Sequence, residues 1–135
     1  MTAQSPLGKV GTSIATRQLE KFGQETKGVT SAVLLTNDGF QVASLHLNDE
    51  SASKLAAMGS SLAAIGQAIA KEASLKECSR MIVESESGVV TVMEVRGVSP
   101  PMSLAVVAND ASILGQLLWA SKECCRSLAE QLSKK

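Results

Sequence analysis

The chain has one histidine and three cysteines, side chains that can hold metals or attack carbonyl carbons: His46, Cys78, Cys124 and Cys125. Together they make a nominal three-cysteine, one-histidine zinc set. The spacing argues against one. No CxxC pair occurs, and the adjacent Cys124 and Cys125, if helical, diverge by about 100°. A cysteine–histidine nucleophilic pair lacks a third group to orient the imidazole. Cys125 is therefore expected in the core and His46 at a strand end. Glu84 and Glu86 lie two apart on an expected strand, on one face, where paired carboxylates can exchange protons with a substrate. They adjoin a turn, however, where charge is solvated and guards a sheet edge. Arg96, Lys122 and Arg126 read as solvated surface, although a lone arginine near a loop could act as a finger on a partner GTPase. No GxxxxGK[ST] or GxSxG occurs, and the prolines of GVSPP (97–101) remove amide donors that a phosphate cradle needs. The sequence thus points away from an enzyme and calls for no cofactor and no metal.

The elements that would position any site must come from 135 residues, 44% apolar and 19% charged, which is one globular core's worth of chain. Thirteen basic residues balance thirteen acidic ones, so no net field draws the chain to nucleic acid or anionic lipid. Phe22, Phe40 and Trp119 are the whole aromatic complement, too few for a stacking platform on single strands. MTAQSPLGKVGTS lacks a signal peptide's apolar run, and no stretch offers the roughly 18 strongly apolar residues of a membrane span. With an odd number of poorly spaced cysteines, a reducing, cytoplasmic setting is expected.

Periodicity predicts a helix over 9–25, ended by Gly28. A hairpin follows, with strands at 29–36 and 40–46 around Asn37-Asp38-Gly39. Both faces of VTSAVLLT are apolar, which calls for cover on both sides of the sheet. Asn48 can cap a second helix over 50–73. Strands are expected at 79–86 and 89–96 around Ser87-Gly88, and a fifth at 102–108, apolar on both faces and hence central. Asn109-Asp110 can cap a third helix over 111–132, with a buried stripe of Leu114, Leu117, Leu118, Ser121, Cys125, Leu128 and Leu132.

The second helix holds the most informative stretch, LAAMGSSLAAIGQAIAKE. Between Leu55 and Ala70 there is no charge. Leu55, Met58, Leu62, Ile65 and Ile69 form a heptad-like seam of large residues. One position over, Ala56, Gly59, Ala63, Gly66 and Ala70 form a parallel stripe of small ones. Each helical glycine costs about 1 kcal/mol relative to alanine, so the glycines need a reason. One reading sets them against the chain's own sheet or a loop. The other turns the large seam to the sheet and leaves the small stripe for close approach of a second helix; an uncharged exposed stripe would be unusual on a monomer.

The order of elements, with VTSAVLLTNDGFQVAS, the small-residue helix, GVVTVMEV and MSLAVVANDASILGQLLWASKECCRSLAEQL, resembles the Roadblock/dynein light chain family in its stand-alone prokaryotic form. The likeness covers residues 9–132, leaving 1–8 as a flexible N-terminus and 133–135 as a tail. It implies an α+β Roadblock/profilin-like sandwich: a five-stranded antiparallel sheet with the long helix on one face and the two terminal helices on the other. It also implies a homodimer in which the middle helices pair and the strand at 79–86 continues the sheet across the dyad. That places Ala56, Gly59, Ser60, Ala63, Gly66, Ala70, Met81 and Val83 at the interface. The implied function is a non-enzymatic regulator or scaffold that binds a Ras-like small GTPase, with no nucleic acid and no membrane insertion. A light-chain or scaffold subunit of a larger assembly is the alternative. An enzyme or ligand sensor on such a sheet would require a polar-lined pocket, which the sequence does not announce.

Overall fold

The computed structural model describes residues 7–133. The expected flexible N-terminus and tail lie outside these residues, apart from Leu7, Gly8 and Ser133. The chain runs α1 (Gly8–Glu25), β1 (Val29–Thr36), β2 (Gln41–Leu45), α2 (Asp49–Glu72), β3 (Arg80–Ser85), β4 (Gly88–Val95), β5 (Met102–Asn109) and α3 (Leu114–Ser133). The strands form one sheet in the order β2-β1-β5-β4-β3, and every neighbouring pair is antiparallel. The expected α+β sandwich is therefore present, with β5 at its centre.

Local chemistry explains the corners. Asn48 caps α2, its Oδ1 accepting from the Ser51 amide at 2.8 Å, while Asp49 and Glu50 place negative charge in the first turn. In the β1–β2 turn Gly39 takes φ +94°, which favours glycine there. Thr36 secures that turn: its hydroxyl donates to Asp38 Oδ1 at 2.7 Å and its amide to the Phe40 carbonyl at 2.9 Å. Strand β2 begins after Phe40, which is left exposed and not within the strand as expected.

The third helix also differs from expectation. Asn109 caps a turn instead of the helix, accepting from the Ala111 amide at 2.9 Å through Oδ1 and from the Ser112 hydroxyl at 2.8 Å through its carbonyl. The helix itself starts at Leu114, which is exposed, and Cys124 joins Cys125 in the core. Both thiols are free. Burial pushes Cys124 up to about 12 and raises Cys125 too, with Cys124 adding to the rise. Neither is a thiolate nucleophile at neutral pH. His46 is exposed just past β2.

Two cores sandwich the sheet. Leu19 and Phe22 of α1 and Leu117, Cys125 and Leu128 of α3 pack with Ala32, Leu34, Val95, Leu104 and Val106. On the other face Ala52 and Ala56 of α2 pack with Val33, Leu35, Val92 and Ala105. β1 serves both faces and β5 does likewise, so their apolar runs need no polar side.

The larger core carries an unpaired polar group. Thr91 on β4 is fully buried and its hydroxyl finds no partner among the described residues. Valine has the same shape without that group. Thr91→Val is therefore expected to stabilise the fold by about 1 kcal/mol, read as a higher urea midpoint with an unchanged slope at fixed protein concentration.

Candidate interaction surface

Among the described residues helix α2 lies alone on its face of the sheet, and its orientation reverses one sequence expectation. Ala56, Gly59, Gly66 and Ala70, expected to face a second helix, are buried against their own sheet, and Ala52 joins them. Ser60 and Ala63 are half-buried. The cause is the sheet itself. Val33, Leu35, Val92 and Ala105 already fill the layer from below, so the helix must bring little volume of its own. A Cβ on Gly59 would meet Leu35 Cδ2 at 3.2 Å; one on Gly66 would sit 2.6 Å from Met81 Sδ and 2.9 Å from Cys78 Sγ. The glycines thus set the distance from α2 to its own chain. Met81 is half-buried under Gly66 for the same reason.

The large seam consequently turns outward. Leu55 and Leu62 only border the core, while Met58 is 62%, Ile65 53% and Ile69 57% exposed. Of the residues expected at an interface, Val83 on β3 is the one that is clearly open, at 47%. β3 pairs with β4 on one side only and is an edge of the sheet. It leaves every second backbone amide and carbonyl of Arg80–Ser85 without a strand partner. Met58, Ile65, Ile69 and Val83 therefore make an apolar surface beside an open edge. The sequence pattern contained these residues, but it assigned the large ones inward.

The opposite flank of α2 borders a recess of about 130 Å³. Ser60, Ala63, Ala64 and Gln67 wall it from above, Glu94, Val92 and Ser103 from the sheet, and Asn37 and the segment before β3 close its ends. Gln67 fixes that segment with both ends of its amide: Nε2 donates to the Cys78 carbonyl at 2.8 Å and Oε1 accepts from the Cys78 amide at 3.0 Å. Glu94 pairs with Arg96 at 3.1 Å, both partly solvated. Among the described residues no group of side chains is placed to hold a metal ion, and no helix is long and apolar enough to cross a membrane. Glu84 and Glu86 are solvated at the β3–β4 turn. The arrangement offers surfaces for binding and no nucleophile–base constellation.

A family model described as the Roadblock/LC7 domain matches residues 16–108. Among solved structures, a Roadblock/LC7 domain from Streptomyces avermitilis is 23% identical with a TM-score of 0.80, covering 88% of this chain and 98% of that one. A protein described as MglB with tetrameric arrangement is also 23% identical with a TM-score of 0.80, over 95% of this chain and 96% of its own. The gliding protein MglB from Thermus thermophilus is 22% identical with a TM-score of 0.79, over 95% and 96%. No curated protein matches.

The glycine contacts set an expected outcome for substitution. Gly59→Leu drives a side chain into Leu35 and is expected to lower stability by roughly 1–3 kcal/mol, measured by denaturant unfolding at fixed concentration. Lys71→Ala, on the exposed end of α2, is expected to change little.

Proposed function

The chain belongs to the Roadblock/LC7 domain family, and from that premise we propose that it is a non-enzymatic homodimeric regulator that binds a Ras-like small GTPase. The observation that carries the self-association is the apolar flank of α2 beside the open β3 edge. Met58, Ile65 and Ile69 are each more than half exposed, a patch a monomer has no use for. A second copy related by a two-fold axis presents the same patch, so both are covered at once and no new surface is left open.

The β3 residues support one register for that pairing. A two-fold axis normal to the sheet keeps each residue on its own face, so partners must share strand parity. Aligning Arg80 with Glu84 of a second copy brings Met81 opposite Val83 and Ile82 opposite itself. Opposite charges then meet on one face and apolar groups meet on both. The solved relative described as tetrameric shows that this fold can self-assemble, and supports the reading for this chain.

The GTPase reading rests on the family. Phosphoryl transfer in a GTPase depends on positioning and charge stabilisation, which its own switch loops supply once ordered. A dimer that holds those loops can change the hydrolysis rate without donating a catalytic group. This fits the solvated Arg96 and Arg126, whose guanidiniums are engaged by Glu94 and by Glu123 and Glu130.

Ile65→Glu places a charge in the seam without touching either core. The wild type is expected to elute as a dimer by size-exclusion light scattering, and the variant as a folded monomer with an unchanged circular dichroism spectrum. The dimer is further expected to bind a Ras-like GTPase in one nucleotide state and to alter its GTP hydrolysis. Absence of binding to any such GTPase would remove the functional reading, and binding indifferent to nucleotide would favour the scaffold alternative.

A further inference from the structure

The recess beside α2 is unused by the reading above. It lies on the flank of the helix opposite Met58, Ile65 and Ile69, and it shares Arg80 and Met81 with the strand edge of the proposed dimer. At its floor Ser103 is only 4% exposed, and it borders the recess. Glu94 is the register partner of Ser103 across β4 and β5, so the carboxylate and the hydroxyl stand side by side on the same face. Glu94 is the sole carboxylate in the lining. Arg80 also borders the recess, but its register partner Met93 belongs to the core under α1 and α3, so its guanidinium leaves from the other face. The remaining wall is apolar along one side, from Ala63, Ala64, Met81 and Val92.

A recess with one apolar side and a carboxylate and a hydroxyl at its floor matches a side chain with an alkyl stem and a cationic head. We propose that the recess binds the arginine side chain of a protein partner. A guanidinium has donors enough to reach Glu94 and Ser103 together, whereas a lysine offers a point charge. Arg96 already shows the pairing from within the chain: its Nε lies 3.1 Å from Glu94 Oε1 at the rim, with the Arg96 side chain 69% exposed. That ion pair is solvated and exchangeable, so Arg96 competes with an incoming arginine without blocking it. The Gln67–Cys78 hydrogen bonds hold the wall in place before anything binds, which lowers the ordering cost of binding.

The test is an NMR titration of the isotope-labelled full chain with Nα-acetyl-arginine amide, run beside the citrulline and lysine derivatives. It requires no GTPase, so its result is independent of the functional reading. Saturable shifts are expected at the amides of Glu94, Ser103, Ala64 and Gln67, with citrulline roughly tenfold weaker because it lacks the charge. Glu94→Gln is expected to reduce arginine to the citrulline level while leaving the rest of the spectrum unchanged, and Arg96→Ala to tighten binding several-fold by removing the competitor. No saturable shift at these amides overturns the proposal, as does equal binding of citrulline. Lysine binding as tightly as arginine overturns the assignment to a guanidinium.

Discussion

The distance between α2 and the sheet is the constraint on which the rest of the structure depends. Val33, Leu35, Val92 and Ala105 fill the layer from below, and only a helix face of alanine and glycine can settle onto them. Once Ala52, Ala56, Gly59, Gly66 and Ala70 face inward, the seven-residue rhythm of the helix fixes where everything else goes. The large residues must leave the interface on one flank, and the small polar ones on the other. Internal packing thereby determines what the outside of the molecule presents.

Two different surfaces follow from that single placement. The flank with Met58, Ile65 and Ile69 is apolar, lies beside an open strand edge, and has the chemistry of a surface meant to be covered. The flank with Ser60, Ala64 and Gln67 roofs a recess whose end is a carboxylate and a hydroxyl. Among the described residues neither holds a metal-binding group of side chains; the half-buried free thiol of Cys78 borders the recess, whereas the thiols of Cys124 and Cys125 are protonated and buried in the other core. In the proposed reading both flanks of one helix meet other chains, with different chemistry on each.

Much of this was legible in the residues. The Asn37-Asp38-Gly39 turn, the Asn48 cap and the doubly apolar β1 and β5 carry local signals that nothing elsewhere overrides. The orientation of α2 was not legible in that way. Its large and small stripes run parallel one position apart, and periodicity alone cannot say which faces inward. The answer sits in the volumes of Val33, Leu35, Val92 and Ala105, on three strands far away in the chain. The expectation that the small stripe awaited a second helix failed for that reason; Val83, expected at the interface, is exposed on the edge strand. The start of α3 was missed because Asn109 can cap a turn as readily as a helix. The recess was invisible as well, because the Glu94–Ser103 neighbourhood exists only through the β4–β5 register.

The central claim is that a second copy of the chain covers the outward flank of α2 and the edge of β3. Amide hydrogen exchange along 80–85, followed as protein concentration rises from nanomolar to micromolar, tests it most directly. The account predicts that the edge-facing amides of β3 exchange fast when dilute and become protected as concentration rises, while those bonded to β4 are protected throughout. Edge amides that exchange equally fast at every concentration would contradict it.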